Sequence, residues 1–518
     1  MEKPAVRLMY SNTIHFETLG CRLNQDESEG AARSFFNCGY SCTMEAVTSS
    51  AETDESTLLC IINTCTVTNK AEQKARRIIR MCLEKYPHSA VCVTGCYAEL
   101  DGDSIKAMCP ERISIIPGTK KYVLNKIAEN LKKLVGAAGF IDDISRLDDF
   151  IKLHCSVSAS PVQSALVNHK DTVAGKVQVP LPFTLYTPVF EKHSRASLKI
   201  QDGCNNSCTF CRIHFARGKS VSLGVDEVLN RVREIEASGK DEVVFTGVNL
   251  SQYVGDFYDG ETPVKKDFAF LLKYLIENTK KIKFRISSFY PQSVTDSLCE
   301  SLKSDRVQPF FHLSVQSGSD SVLKAMKRPY GHDDVVNAVK KIRNAKKDCF
   351  ISCDIIAGFP GESDFDFNET VRLCEECSFS WMHVFPFSPR PGTEAAVMKP
   401  QITEAVKTRR AAVLGKIAVD SKIKYIESMK GREFTAVVEN SRALRLSRRI
   451  MKNTSAGSES GIYHAVTDNF IHVEFKSSRH IESSRSVRVR IDQVLEDNIR
   501  TGKEIECLSS LVSVNSQM

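Results

Sequence analysis

The chain has 518 residues, too many for one ordinary domain, and its 42% hydrophobic and 26% charged residues are typical of a globular protein in water. The sequence contains no run of about 18 or more apolar residues, which would predict a membrane span. The start lacks the basic-then-apolar order of a signal peptide. We therefore expect a cytosolic protein, in which 19 cysteines point to metal ligands or catalytic thiols rather than to a disulfide framework.

The net charge of +7 is concentrated near the C-terminus. Residues 401–518 hold 20 lysines and arginines against 14 aspartates and glutamates, which leaves the rest of the chain nearly neutral. A basic region on a neutral body predicts a patch for a polyanion such as RNA, and a merely solvated surface is the alternative.

Residues 1–140 alternate between predicted strands and helices, which predicts a small parallel sheet with covering helices. The predicted strands are 13–19, 57–64 and 89–95, and long helical patterns cover 70–86 and 122–134. Cys21, Cys65 and Cys96 each come just after one of these strands. Because parallel strand ends meet at one edge, the three thiols could hold an iron–sulfur cluster with one open iron, but their spacing alone favours coincidence equally.

Residues 141–190 lose the alternation, and we predict a linker there. From Ser197 six short apolar strands resume, each followed by a helix or loop, which predicts an open parallel (β/α)6 barrel over 191–429 with its site at the carboxyl ends of the strands. A charged helix at 403–429 closes this domain. Short β-branched segments over 430–510 then predict a small β-barrel.

The loop after the first barrel strand contains Cys204, Cys208 and Cys211 in a C-x-x-x-C-x-x-C pattern. A [4Fe-4S] cluster that is held by three cysteines has one iron without a protein ligand, and this iron is open for an external group. The alternatives are a zinc knuckle or unrelated thiols, but the spacing, the position after a strand and the preceding glycine favour the cluster. The remaining cysteines, including Cys374 and Cys377, we predict to be structural.

These residues resemble the radical S-adenosylmethionine (SAM) superfamily. The resemblance implies that the open iron binds SAM, that Phe210 lies near its adenine, and that "FTGVNLSQY" receives its amino group through Gly247 and Asn249. The strand and turn "DIIAGFPGE", which includes Ile356, looks like the adenine-contacting segment. Further candidates at later strand ends are Ser287, Ser288, Gln316 and Arg328.

The segments "LGCRLNQDESEG", "NTCTVTNKA" and "TGCYAEL" resemble the methylthiotransferase family, which joins such a domain to a radical SAM domain and a small RNA-binding β-barrel called TRAM. The resemblance implies a second [4Fe-4S] cluster on Cys21, Cys65 and Cys96, which holds the sulfur to be transferred, while the first cluster cleaves SAM. It also implies a reductant such as flavodoxin or ferredoxin, a sulfur source and no membrane partner.

The segments "HLSVQSGSDSVLKAMKRPY" and "HVFPFSPRPGTEAAVM" resemble the branch that methylthiolates N6-threonylcarbamoyladenosine beside the anticodon of tRNA. The alternatives are N6-isopentenyladenosine in tRNA, a ribosomal-protein aspartate, or a non-catalytic iron–sulfur RNA-binding redox sensor. The chain departs from the family at 212–215, where "RIHF" replaces an apolar stretch that ends in proline, and in its longer linker. The predicted RNA-binding residues of the terminal module are Arg442, Arg445, Arg448, Arg449, Arg485, Arg488 and Arg490.

Overall fold

The computed structural model describes residues 12–136, 139–156, 164–167, 177–190, 194–258, 262–439 and 461–514. Its contacts divide the chain into two compact units. The first unit contains Met1–Thr187, Gln201–Asn206 and Cys211–Leu223, and the second contains Pro188–Ile200, Ser207–Phe210 and Gly224–Met518. Two short segments around the loop of Cys204, Cys208 and Cys211 thus belong to the first unit, although the predicted barrel began at residue 191.

The strands, in chain order, are β1 (Thr13–Thr18), β2 (Ser41–Thr43), β3 (Leu59–Thr64), β4 (Ala90–Gly95), β5 (Ile113–Ile115), β6 (Ser164–Val167), β7 (Val177–Pro180), β8 (Ala196–Lys199), β9 (Gln201–Asp202), β10 (Val221–Ser222), β11 (Glu242–Thr246), β12 (Val254–Tyr258), β13 (Pro263–Asp267), β14 (Lys283–Ile286), β15 (Ser288–Phe289), β16 (Phe310–Gln316), β17 (Phe350–Ala357), β18 (Trp381–Pro386), β19 (Glu433–Val438), β20 (Gly461–Thr467), β21 (His472–Ser477), β22 (Ser486–Val494) and β23 (Cys507–Val514).

The α-helices are α1 (Arg22–Asn37), α2 (Asn69–Lys85), α3 (Cys96–Lys106), α4 (Val123–Leu134), α5 (Ile144–Cys155), α6 (Ile213–Arg217), α7 (Val225–Ala237), α8 (Phe268–Asn278), α9 (Asp296–Leu302), α10 (Asp320–Ala325), α11 (His332–Ala345), α12 (Asp364–Cys377), α13 (Glu394–Val397), α14 (Glu404–Glu427) and α15 (Glu496–Thr501). Among the described residues, no helix has the length and apolar character needed to cross a bilayer.

The first unit is built on a five-stranded sheet in the order β2-β1-β3-β4-β5, in which every neighbouring pair is parallel. Alternate residues of the strands point to opposite faces, and each face buries its own apolar cluster. Ile14 and Phe16 pack in one cluster with helices α1, α4 and α5, whereas Ile62 packs in the other with α2 and α3. The predicted parallel sheet with covering helices is confirmed.

Helix α5 lies inside the segment predicted as a linker. Leu147 and Ile151 of this helix are buried in the apolar cluster of the first unit, and the Asp143 side chain caps its N-terminus by accepting from the Ser145 N–H. The segment after residue 140 therefore begins as a packed helix of the first unit. Later in the chain, β9 and β10 form a two-stranded antiparallel hairpin, with α6 between them in sequence.

The second unit contains the six predicted barrel strands, all parallel to their neighbours, in two sheets. The orders are β14-β11-β8 and β15-β16-β17-β18. The third predicted strand is interrupted at Ser287, which separates β14 from β15. The (β/α)6 architecture is thus confirmed, with a break between its two halves, and the antiparallel hairpin β12-β13 is an insertion that the sequence pattern did not predict.

Helix α14 follows the barrel strands, and Thr403 caps its N-terminus by accepting from the Val406 N–H. After it, five strands form a closed barrel in the order β19-β20-β21-β23-β22. Val438, Tyr463 and Phe475 are buried at its centre. The predicted small β-barrel is confirmed, whereas the predicted RNA-binding residues Arg442, Arg445, Arg448 and Arg449 lie outside the described residues.

Candidate active site

The first unit places three cysteines directly after three neighbouring parallel strands. Cys21 is the N-cap of α1 and follows β1, Cys65 immediately follows β3, and Cys96 is the first residue of α3 and immediately follows β4. Because β1, β3 and β4 are adjacent and parallel, their carboxyl ends lie along one edge of the sheet. The fold therefore gathers at one edge three residues that are far apart in sequence.

Two glycines allow the backbone to turn sharply just before two of these cysteines. Gly20 and Gly95 both have φ of +99°, a conformation that residues with a Cβ rarely adopt. A Cβ on Gly20 would lie 2.7 Å from the Cys65 Sγ, and a Cβ on Gly95 would lie 2.3 Å from the Thr64 carbonyl oxygen. The close approach of the strand ends at the cysteines thus requires glycine at both positions.

Asparagine side chains fasten the loop of Cys21 to the end of β3. The Asn24 Nδ2 donates to the carbonyl oxygens of Leu19 at 2.8 Å and Thr64 at 3.0 Å. In return, the Asn63 Nδ2 donates to the Asn24 carbonyl oxygen at 3.0 Å. Both asparagines are buried, so these bonds are shielded from competing water. They hold Cys21 and Cys65 in fixed relative positions.

The three thiols are close enough for their charges to interact. Burial is the main cause that raises the pKa of Cys65 to about 11, and the Cys21 and Cys96 thiols contribute to that rise. Part of the Cys21 residue is exposed, but its thiol is buried. Burial raises the pKa of the Cys21 thiol, and the Arg217 guanidinium opposes that shift. Without a bound cation the thiol form is favoured, and a metal would have to displace the protons.

Arg217 is the buried cation of this cysteine set. Its Nε donates to the Cys96 Sγ at 3.3 Å, and its terminal nitrogens donate to the Asp202 carboxylate at 2.9 Å, to Glu27 at 3.0 Å and to the Asn24 Oδ1 at 2.8 Å. Burial works against its charge, but the carboxylates of Asp202 and Glu27 hold the pKa of Arg217 above its ordinary value. A positive charge therefore sits beside the thiols.

The sulfurs of Cys21, Cys65 and Cys96 are spaced more widely than the ligand atoms of a single metal ion. Sulfurs on one zinc ion lie roughly 3.8 Å apart, given Zn–S bonds of about 2.3 Å. Among the described residues, the group whose ligand atoms all lie within 4.8 Å is Glu439, His472 and Glu504, far from any cysteine set in sequence. The three cysteines fit a larger group such as a cubane cluster, with thiolate ligands and room between them.

The Glu439, His472 and Glu504 group is surrounded by cations. Glu439 already pairs with Arg195 at 2.8 Å. Burial, together with the nearby Lys422 and Arg195 charges, lowers the pKa of His472 to about 3. A further positive ion would be repelled there, so we assign no metal to this group.

Of the other cysteine set, Cys204 and Cys211 belong to the first unit and Cys208 to the second. In the first unit, the Cys204 N–H donates to the Gly218 carbonyl oxygen at 3.0 Å. In the second unit Cys208 is buried, and the Arg328 guanidinium donates to its Sγ at 3.3 Å. Arg328 also donates to the Tyr290 hydroxyl at 2.8 Å, and its charge lies 4.1 Å from the centre of that ring.

Phe210 and Ile356, both predicted to lie near the adenine of SAM, lie around the same apolar cluster in the second unit. The cluster contains Phe359, whose ring meets that of Phe210 edge-on at 6.5 Å. The backbone beside Phe210 is fixed because the Thr209 carbonyl oxygen accepts from the Ala395 N–H at 2.8 Å. The two residues are thus brought together from distant parts of the chain.

The polar candidates lie at strand ends of the second unit. Gly247 follows β11, Ser287 and Ser288 lie at the break between β14 and β15, and Gln316 ends β16 with φ of +72°. The Asn249 Oδ1 accepts from the Ser251 N–H at 3.1 Å and so caps a short turn. The Ser287 Oγ is buried and has no hydrogen-bond partner among the described residues, as expected of an atom that bonds a ligand.

Several residues of these sites were not predicted from the sequence. They are Asn24, Glu27, Asp202, Arg217 and Tyr290, together with Lys121, which pairs with Glu27, and Tyr330, whose hydroxyl accepts from the Arg328 Nε at 2.6 Å. Their role depends on contacts between distant segments, and no period in the sequence marks them. A sequence signal for Arg217 was present in the "ARG" that follows the third cysteine of the loop. A signal for Asn24 and Glu27 was present in the polar run "NQDESE" of helix α1, most of which is buried.

Two family models match the parts of the chain that contain the two cysteine sets. The Radical SAM superfamily model matches residues 198–374, and the model of Uncharacterized protein family UPF0004 matches residues 13–116. The chain is 42% identical over 455 residues to the threonylcarbamoyladenosine tRNA methylthiotransferase MtaB of Treponema pallidum, which covers 83% of this chain and 91% of that protein. It is 32% identical to the MtaB of Bacillus subtilis, over 92% of this chain and 93% of that protein.

A solved structure shares the fold. The radical S-adenosylmethionine methyltransferase TsrM from Kitasatospora setae, solved with cobalamin and a [4Fe-4S] cluster bound, has a TM-score of 0.50 at 12% identity, over 75% of this chain and 77% of that one. At this identity the likeness concerns the fold alone. The sequence relatives establish more, and the chain belongs to the radical SAM tRNA methylthiotransferase family.

Proposed function

We propose that this enzyme adds a methylthio group to C2 of N6-threonylcarbamoyladenosine beside the anticodon of tRNA. Both relatives reported above are named for that modified base. The observation that carries the proposal is the convergence of Cys21, Cys65 and Cys96 at one edge of the first unit's sheet. A radical SAM enzyme that only cleaved SAM would need no second set of cysteines.

On this proposal, Cys204, Cys208 and Cys211 hold one [4Fe-4S] cluster, and Cys21, Cys65 and Cys96 hold the second. When bound, the two clusters and SAM supply reductive cleavage of the sulfonium and a sulfur for transfer. The segments 1–140, 191–429 and 430–510 then serve the second cluster, SAM and the RNA, respectively, with 141–190 between them. The protein's own task is to orient these groups and to exclude water.

The second unit supplies the groups that would orient SAM. Phe210 and Ile356 offer an apolar wall for an adenine ring, and the Ser287 Oγ offers an unused hydrogen-bonding group. The Arg328 guanidinium donates to the Cys208 sulfur through a partly buried hydrogen bond. The remaining candidates for polar contacts with SAM are Gly247, Asn249, Ser288 and Gln316.

The terminal barrel would grip the RNA. Arg485, Arg488 and Arg490 lie on or beside β22 with side chains that are about half exposed, so their guanidinium groups can reach phosphates. The target base must leave the stack of the anticodon loop to reach the barrel of the second unit. A flavodoxin- or ferredoxin-type reductant and a sulfur source complete the partners, and a tRNA substrate implies a cytosolic enzyme.

The proposal is tested by mass spectrometry of nucleosides from total tRNA of a strain that lacks this gene. Restoring the gene, restoring it as Cys65→Ala and restoring nothing give three matched samples. We expect 2-methylthio-N6-threonylcarbamoyladenosine to disappear on deletion, to return with the intact gene and to stay absent with Cys65→Ala.

Two other outcomes would contradict the proposal. Loss of the isopentenyl analogue instead would keep the chemistry and change the base. No change in either nucleoside would refute a tRNA substrate and direct the search to a protein target such as a ribosomal-protein aspartate.

A further inference from the structure

Arg217 connects the loop of Cys204, Cys208 and Cys211 with the second cysteine set inside the first unit. Its side chain donates to the Cys96 Sγ, while the carbonyl oxygen of the next residue, Gly218, accepts from the Cys204 N–H at 3.0 Å. The two backbone segments are packed closely, because a Cβ on Gly203 would lie 2.0 Å from the Lys219 carbonyl oxygen. The backbone that follows Arg217 is therefore packed directly against the backbone beside Cys204.

The guanidinium is held on several sides at once. Asp202 belongs to β9, and Glu27 and Asn24 belong to α1. Two separate segments therefore fix the position of the Arg217 guanidinium. Glu27 also forms a buried ion pair with Lys121, whose Nζ lies 3.2 Å from the Asn24 Oδ1. Stability alone is a weak reason for such a network, because buried ion pairs contribute little once desolvation is counted.

The charges of the network cancel without any bound group. Arg217 and Lys121 bring two positive charges, and Glu27 and Asp202 bring two negative ones, so the side chains alone are neutral. A cubane cluster on three thiolates carries a net negative charge that grows when the cluster gains an electron. A cation that donates to one ligand sulfur favours the reduced form, as hydrogen bonds to sulfur do in iron–sulfur proteins.

We infer that Arg217 is a positioning residue of the second cluster, which holds the Cys96 sulfur through an N–H···S hydrogen bond and makes that cluster easier to reduce. This inference rests on the proposed function, since it needs a cluster on Cys21, Cys65 and Cys96.

The test uses the full chain with Cys204, Cys208 and Cys211 all replaced by alanine, which leaves the second set as the remaining cluster site. In this background, Arg217→Met removes the charge and the donor while keeping an apolar stem of similar length. The reduction potential is measured anaerobically by stepwise addition of dithionite, a one-electron donor, and the reduced cluster is followed by electron paramagnetic resonance.

We expect the Arg217→Met protein to keep its iron. Its reduction potential should be lower by at least about 59 mV, which is a tenfold change in the equilibrium constant of a one-electron couple. Arg217→Lys retains the charge and loses the planar fork, so its shift should be smaller and in the same direction. Arg112 offers a matched control, since its guanidinium donates to backbone carbonyls of Ser89 and Leu83 in the same unit. Arg112→Met should leave the potential unchanged.

An unchanged potential and spectrum in Arg217→Met would overturn the inference. If Arg217→Met does not fold, the comparison of Arg217→Lys with Arg112→Lys decides it, and equal potentials would overturn it. A background chain that binds no iron at all would instead refute the second cluster itself, and with it the proposed function.

Discussion

The two cysteine sets reach their sites by opposite routes. Cys204, Cys208 and Cys211 lie within one loop, so their separation is set largely by local backbone geometry. Cys21, Cys65 and Cys96 come from three strand ends and meet only because the sheet of the first unit forms. Each set contains one sulfur that accepts from an arginine, from the buried Arg217 side chain in the first unit and from the partly buried Arg328 in the second. Similar chemistry is thus built once locally and once by tertiary structure.

The comparison is sharpened most by removing one ligand from each set. We expect Cys208→Ala to abolish both SAM cleavage and the methylthiolated base, because the cluster that delivers the electron loses a ligand. Cys65→Ala should still cleave SAM but yield no methylthiolated base. Cleavage is measured as 5′-deoxyadenosine by chromatography, with Cys377→Ala, a buried cysteine of α12, as the control. Full cleavage by Cys208→Ala would contradict the assignment of the first set.

A smaller but still large effect is expected from a backbone change that leaves every cysteine in place. Gly95→Ala would force a Cβ into the Thr64 carbonyl at a φ of +99°, so β3 and β4 must separate at Cys65 and Cys96. We expect about half of the bound iron to be lost. Gly39→Ala is the matched control in the same unit, because Gly39 has φ of +89° but open space around it. Its cost should be only the backbone strain of roughly 1–2 kcal/mol.

Equal iron content in Gly95→Ala and Gly39→Ala would show that the second set does not depend on the close approach of the strand ends. It would thereby remove the tertiary side of the comparison.

A third change tests the scaffold of the second unit away from both sets. Glu242 is buried against Arg285, with the Glu242 Oε1 2.7 Å from the Arg285 Nε, and it accepts from Gln308. Although burial raises its pKa, Arg285 is the main cause that lowers the pKa of Glu242 from 4.5 to about 2. Glu242→Gln leaves Arg285 buried without its partner charge, so we expect the free energy of unfolding to fall by roughly 3–5 kcal/mol near neutral pH.

The pH dependence of that loss has a definite sign. A carboxyl with a lowered pKa stabilises the folded state above its unfolded pKa of 4.5, and this stabilisation is lost as the pH falls through about 2. The difference between the wild type and Glu242→Gln, measured by urea unfolding, should therefore be constant above pH 4.5 and shrink below it. A difference that stays constant below 4.5 would contradict the assignment.

The smallest effect concerns RNA binding and leaves both cysteine sets untouched. Arg488 on β22 is exposed and pairs with Glu433 at 3.2 Å. If it contacts a phosphate, Arg488→Gln should weaken tRNA binding modestly and reduce the slope of log affinity against log salt by about 1. Iron content should be unchanged. An unaltered salt slope would exclude Arg488 from the RNA contact.

The same contrast explains what could be predicted from the sequence. Cys204, Cys208 and Cys211 follow from a local spacing, and the strands of both units follow from apolar runs between turns. The second set needed the order of the strands, which the chain does not spell out, so spacing alone left coincidence open. The break at Ser287 and the hairpin β12-β13 carry no strong period. Helix α5 does have apolar residues at helical spacing, Ile144, Leu147 and Ile151, and the prediction of a linker overlooked them.

Arg217 was missed for a further physical reason. Its partners Asn24, Glu27 and Cys96 are distant in sequence, and a buried charge is stable only with partners that no local pattern reveals. Arg328, in contrast, was predicted as a SAM-binding residue and lies beside the Cys208 sulfur in the structure.

The most direct test of the central claim, that the chain carries two clusters on two separate cysteine sets, is anaerobic determination of iron and sulfide in three proteins. These are the wild type, the chain with Cys204, Cys208 and Cys211 changed to alanine, and the chain with Cys21, Cys65 and Cys96 changed to alanine. We expect two clusters in the wild type and one in each variant. Full iron in the chain without Cys21, Cys65 and Cys96 would contradict the claim, because the second cluster would then have no place in the first unit.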